Sequence, residues 1–251
     1  MNFGRGFLAP KRPTTPRERI AHAARCARVG AAPRGERFEL ARAEVHSQGT
    51  SQACMGFALE QGVFVHAAAT WRPRPFGAPG FAYWCFRRGL VVSDADVTDT
   101  GSDPYAAVDA VREFGSPPWA DCPFDAERVN AKPPEVAFVP AQRTRPRLTP
   151  ILELGERLPA IVDHVIRIER KPVLVALSVN AAFEKYAGGV LGDASGGDLG
   201  GHANLIRGRE GDTSLDVNSW GATWGEGGEA RISDAYLARR CVWAASVEVL
   251  P

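Results

Sequence analysis

Apolar residues along this chain change period several times, and each change predicts an element. Thr15-Pro16-Arg17-Glu18 opens a helix, with Thr15 as N-cap, Pro16 in the first turn and Glu18 closing a capping box. It is expected to run to about Val29, with Ile20, Ala23, Ala24 and Ala27 on one face. From Cys54 to about Ala69, the residues Phe57, Ala58, Val63, Phe64 and Val65 suit a buried central helix. Phe81–Arg88 reads as a short helix, and Asp103-Pro104 caps another that ends at Phe114 before Gly115. Leu158, Ile161, Val162, Val165 and Ile168 repeat with helical spacing inside Glu156–Arg170. The pattern then turns to strands. Pro172–Val179 is one, and two apolar runs joined by Glu210-Gly211-Asp212 predict a β-hairpin from His202 to Asn218. Strands near Glu229–Ile232 and Cys241–Val249 follow. Helices early and strands late predict an α+β fold with a helical lobe over about 43–135 and a β-rich lobe over about 136–251.

The hairpin carries the first candidate chemistry. His202 opens one strand and Asn218 closes the other, so the two ends lie side by side. A carboxamide bonded to one ring nitrogen sets the tautomer and leaves the other nitrogen as a base. A partner stands far upstream, in Gln48-Gly49-Thr50-Ser51-Gln52-Ala53-Cys54. Cys54 at a helix N-terminus has its thiolate favoured by the amide groups there. Gln48 and the Cys54 backbone N–H are candidate donors to an oxyanion, and His202 is the candidate base and acid.

These segments resemble the papain-like cysteine peptidases: Gln48-Gly49 with Cys54-Met55-Gly56-Phe57-Ala58, then Gly201-His202-Ala203 with Asn218-Ser219-Trp220-Gly221 and Trp224-Gly225-Glu226. The likeness spans about Ala43 to Ile232 and is weakest in the middle. It implies a two-lobe fold in which the nucleophile helix faces an antiparallel sheet or barrel lobe. It further implies a Cys54–His202–Asn218 site with Gln48 at the oxyanion, hydrolysis of protein or peptide substrates, and no cofactor or metal. Gly200, Gly201 and Trp220 would bind substrate, Trp220 would also shield the His202–Asn218 bond, and Trp224 and Glu226 would be structural. Trp119 and Phe124, in the loop from Ser116 to Pro134, would pack near the cleft. Two departures stand out: Ser51 replaces a half-cystine and Met55 replaces a tryptophan, neither of them a catalytic group. Other readings that keep the fold are an idle module used for assembly or binding, and a thiol amidase acting on an amide such as that of peptidoglycan.

Composition narrows the setting. A net charge of +1 gives no pull toward nucleic acid or membrane, and no apolar run is long enough to span a bilayer. Five scattered cysteines suggest neither a disulfide framework nor a CxxC metal site. With no secretory signal at Met1–Gly6, synthesis in a cytoplasm is expected, with export, injection or association with a particle as later fates. Residues 1–42 form a basic, proline-containing arm that packs on the chain's own cleft or on a partner protein. His66 and His164 read as packed or surface histidines, and Asp94, Asp96, Asp99 and Asp103 as solvated acids rather than calcium ligands.

Overall fold

A computed structural model describes residues 6–8, 13–30 and 35–250 of the 251-residue chain. Met1–Arg5, Lys11, Arg12 and Arg34, part of the basic arm, lie outside the described residues. Helix α1 (Pro16–Cys26) is followed by the two-residue strand β1 (Phe38–Glu39), the central helix α2 (Cys54–Ala69), α3 (Pro79–Arg88) and α4 (Pro104–Phe114). A single turn, α5 (Phe138–Ala141), leads to β2 (Pro146–Ile151), α6 (Leu158–Arg167), β3 (Val173–Val179), the turn α7 (Ala181–Glu184) and β4 (Val190–Leu191). The hairpin β5 (Gly200–Glu210) and β6 (Thr213–Val217) precedes β7 (Glu229–Ser233), α8 (Asp234–Arg240) and β8 (Cys241–Val249). No helix of the described residues is long and apolar enough to cross a membrane.

The strands form one sheet in the order β2-β8-β3-β5-β6-β7-β4, with β1 also on β5. All pairings are antiparallel except β4 with β7, and the path ends without β2 meeting β4, so the sheet is open rather than a closed barrel. Helix α2 lies on this sheet with nearly every side chain buried. A Cβ at Gly62 would come within 2.9 Å of Val247 and 3.1 Å of Leu205, so the glycine sets how closely the helix approaches β5 and β8. That contact fixes the N-terminus of α2 beside the start of β5.

Several short elements differ from expectation. β2 contains Pro146 and Pro150, yet it is the edge strand of the sheet, where a missing N–H is tolerated. Helix α8 starts on the Ser233 cap, whose hydroxyl accepts from Tyr236 N–H at 3.1 Å. Asp103 caps α4 as expected, accepting from Tyr105 and Ala106 N–H at 2.9 Å each, but it is buried rather than solvated. Asp99 accepts from Tyr83 OH and Gln52 N–H, and Asp94 pairs with Arg88 and Lys132, so these acids serve separate partners. His66 is buried and accepts from Val249 N–H at 3.1 Å.

Helix α1 presents the opposite face from that expected. Ile20 is 71% exposed, whereas Glu18 and Arg25 are buried. An alanine-rich stripe offers little apolar area, and the ion pair made by Arg25 outweighs it. Arg25 donates to both Glu169 oxygens at 2.7 and 3.0 Å and to Ser246 Oγ at 2.8 Å. Without Arg25, Glu169, 13% exposed, keeps only the longer contacts to Lys171 at 3.7 Å and His164 at 3.9 Å. Arg25→Met is therefore expected to lower the opening free energy of α1 by about 3 kcal/mol, read as hydrogen exchange that accelerates in α1 and not in β3 or β5.

Glu60, on α2, is fully buried and accepts from Ser116 Oγ at 2.7 Å. Burial pushes its pKa up to about 7, against the opposing hydrogen bond from Ser116 and the charge of Arg74. A carboxyl raised in the fold is more easily ionised when unfolded, so folding loses stability as pH rises from about 4.5 to about 7 and stays level above. In Glu60→Gln this part of the slope, about 3 kcal/mol, is expected to disappear in urea unfolding compared between pH 5 and pH 8.

Candidate active site

The loop before α2 is held without a disulfide. Gly49 takes φ +59°, which lets the chain turn between Gln48 and Ser51. Ser51 Oγ donates to Gln48 O at 2.7 Å, and Gln48 Nε2 donates to Ser51 O at 2.6 Å. Two further bonds cross to the β lobe: Gln48 N–H to Ser219 O at 2.9 Å and Ser219 Oγ to Gln48 Oε1 at 2.6 Å. Gln48 is wholly buried, and its carboxamide is held in one orientation. Ser219, which lies in the Asn218–Gly221 motif but has no role assigned from sequence, ties the loop to the segment after β6.

His202 and Asn218 meet as the hairpin predicted. The pairing of β5 with β6 begins at Leu205 opposite Val217, and just beyond it Asn218 Oδ1 accepts from His202 Nε2 at 2.7 Å. The same oxygen accepts from Ser219 N–H at 2.6 Å, which fixes the carboxamide. A neutral His202 ring therefore carries its proton on Nε2 and has Nδ1 as its basic nitrogen. Trp220, 2% exposed, lies over the imidazole with ring centres 4.5 Å apart at 35°. Phe183 closes the other approach, 6.0 Å from His202 and 5.4 Å from Trp220. Both rings remove water from the His202–Asn218 bond, which strengthens it electrostatically. Phe183 on its short turn carried no sequence signal. Gln61, two turns along α2 from Cys54, donates to Asn218 O at 3.2 Å and joins the two lobes behind the site. Trp224 donates to Phe183 O at 3.2 Å, and Glu226 accepts from Gly189 N–H at 2.9 Å. Trp119 stacks on His46 at 4.9 Å, and Phe124 packs edge-on against Phe57 at 4.7 Å.

Cys54 is the first residue of α2, and the backbone N–H groups that favour its thiolate are those of Ala203, Gly6, Met55 and Cys54 itself. Ala203 follows His202 directly on β5, so the thiol of one lobe adjoins the imidazole strand of the other. The expectation of a favoured thiolate is overturned for this arrangement. Burial pushes the Cys54 thiol up to about 11, more than the four N–H donors bring it down.

What completes that burial is the chain's own N-terminal segment. Phe7 N–H donates to Gly201 O at 3.2 Å, Leu8 N–H donates to Ser102 O at 2.9 Å, and Ser102 N–H donates to Gly6 O at 2.6 Å. Phe7 forms a parallel bridge with Ser102 and is 8% exposed. A Cβ at Gly6 would lie 1.7 Å from Gln52 O, and one at Gly201 would lie 2.8 Å from Phe7 O. Gly6 and Gly201 thus permit backbone to pass over backbone beside Cys54. Gly201, expected to face substrate, faces Phe7.

A helix-borne thiol opposite a sheet-borne histidine–asparagine pair is the arrangement of the papain-type two-lobe α+β fold. The chain belongs to the papain family: the sequence model described as "Papain family cysteine protease" matches residues 90–248. That span holds His202 and Asn218, and Cys54 lies before it. The "Cathepsin B-like cysteine proteinase 4" of Caenorhabditis elegans is 30% identical over 143 residues, covering 53% of this chain and 41% of that relative. The chain therefore matches about two fifths of that protein's length. Among solved structures, xylellain, a cysteine protease from Xylella fastidiosa, superposes with a TM-score of 0.76 over 100% of this chain and 97% of its own, at 15% identity. The Carica candamarcensis cysteine protease CMS1MS2, solved with E-64, gives a TM-score of 0.59 over 82% and 91% at 22% identity. At these identities the two structures speak for the fold.

Proposed function

We propose that this chain is a cysteine peptidase acting on protein or peptide substrates, and that residues 6–8 hold it in a latent state. In the open enzyme the Cys54 thiolate attacks the scissile carbonyl carbon. The oxyanion that forms takes hydrogen bonds from Gln48 Nε2 and Cys54 N–H. His202, protonated at Nδ1, gives that proton to the departing amine as the C–N bond breaks and leaves an acyl-thioester on Cys54. The imidazole then takes a proton from water, the resulting hydroxide attacks the thioester, and the carboxylic acid product departs as Cys54 is regenerated. Asn218 holds the ring through both proton transfers, and Trp220 and Phe183 keep water from that bond.

The observation that carries this reading is the pairing of His202 with Asn218 at 2.7 Å on β5, the strand whose Ala203 N–H favours the thiolate of Cys54 at the start of α2. Latency rests on three bonds: Phe7 N–H to Gly201 O, Leu8 N–H to Ser102 O, and Ser102 N–H to Gly6 O. The reading is tested with an epoxysuccinyl peptide, which alkylates a thiolate lodged in a peptide-binding cleft. The full chain is expected to react slowly and a chain beginning at Pro13 quickly. Equal slow rates in both folded proteins would contradict it.

A further inference from the structure

Away from the cleft, α1 carries two residues one turn apart whose side chains converge on a third from the sheet lobe. His22 and Cys26 stand at i and i+4 and share a face. Glu153 follows β2 and reaches the same point. Cys26 Sγ is 3.3 Å from His22 Nε2 and 3.5 Å from Glu153 Oε2, and those last two atoms are 3.9 Å apart. Among the described residues this is the one place where three metal-ligating side chains gather. A tetrahedral zinc with bonds of about 2.0–2.3 Å requires ligand atoms about 3.3–3.6 Å apart. Two of the three separations already fit, and the third exceeds the range by a few tenths of an ångström. The side chains of His22 and Glu153 are 14% and 33% exposed, so an ion and a solvent ligand can enter.

We propose that His22, Cys26 and Glu153 bind a zinc ion that fastens helix α1 to the sheet lobe. The donor set, one imidazole, one thiolate and one carboxylate, suits zinc and leaves a fourth position for water. Two local contacts change on loading. Arg157, 57% exposed, now donates to Glu153 Oε1 and Oε2 at 2.9 and 3.2 Å and must release Oε2. Leu152 N–H donates to His22 Nδ1 at 3.3 Å, so a neutral His22 has its proton on Nε2. When Nε2 takes the metal, that proton moves to Nδ1 and the Leu152 contact is given up. Cys26 loses its thiol proton to solvent as sulfur bonds the ion, so each zinc releases one proton. Because the thiol gives up a proton to bind the ion, binding is expected to strengthen as pH rises.

The site joins two parts of the molecule that are far apart in sequence. Helix α1 is the element next after the segment that covers Cys54, and Glu153 sits two residues past the end of the sheet's edge strand. Beside the Arg25–Glu169 pair, zinc would add a second anchor for α1 that depends on the metal concentration. The inference stands on geometry independent of the catalytic reading.

The test uses the full-length chain with Cys54→Ala, so that the cleft thiol does not compete, titrated separately with zinc and cobalt(II). One equivalent should bind with release of one proton, and cobalt should give a sulfur-to-metal charge-transfer band. Cys26→Ser should remove the band. His22→Asn and Glu153→Gln should each weaken zinc binding beyond the roughly 10–100-fold that loss of an outer partner costs. Hydrogen exchange in α1 should slow with zinc in the Cys54→Ala chain and not in its Cys26→Ser derivative. A cobalt band that survives Cys26→Ser, or a folded Cys54→Ala chain that binds neither metal, would overturn the proposal.

Discussion

Cys54→Ala is expected to reduce hydrolysis of an unfolded protein by about 10⁴-fold or more, to the level of the assay background. The measurement is made on chains beginning at Pro13, with and without the substitution, so that the arm segment does not mask the result. Cys54 is wholly buried and small, and alanine fits its place, so the fold should be unchanged by circular dichroism. His202→Ala should cost nearly as much, and the double variant no more than either single one, because nucleophile and base act as a unit. Loss of comparable size from Cys85→Ala, whose thiol is also buried but packs in the core near Cys122, would point to a structural effect instead.

The second large effect comes from a single added side chain. Gly6→Val places a Cβ 1.7 Å from the Gln52 carbonyl oxygen, a contact that neither backbone can absorb in place. Overpacking of about 3 kcal/mol favours release of the segment by about 100-fold. The rate of epoxide labelling at Cys54 should rise by about that factor at pH 7. The pH profile should change as well. In the closed chain, burial holds the thiol near 11, so labelling climbs steadily with pH toward that value. In the Gly6→Val chain the thiol is relieved of that burial and adjoins His202, and its labelling should level off at lower pH. A Gly6→Val chain with the slow, steeply rising profile of the parent would mean that the segment does not control access.

How much of this was legible in advance depended on range. Cys54, His202 and Asn218 each sit at a boundary that local rules reveal: the start of an apolar helix, the start of a strand, the end of a hairpin. The Asp103 and Thr15 caps could be read for the same reason. Ser219, Gln61 and Phe183 were not readable, because each acts through a partner distant in sequence, such as Gln48 for Ser219. The face of α1 was misread because its decisive interaction is an ion pair with Glu169, 144 residues away. β2 was missed because two prolines look like strand breakers until the strand is known to lie at an edge. Phe7, in the short run Gly4-Arg5-Gly6-Phe7-Leu8, has no periodicity to mark it, and only the glycines it meets, Gly6 beside it and Gly201 opposite, explain its place.

The most direct test of the central claim is to locate the epoxysuccinyl adduct on the Gly6→Val chain by peptide mass mapping. One adduct per chain is expected, on Cys54 alone, and its formation should fall sharply in the His202→Ala derivative. Adducts spread over the partly exposed Cys26 and Cys122, or a Cys54 adduct that forms equally fast without His202, would contradict a Cys54–His202 peptidase site.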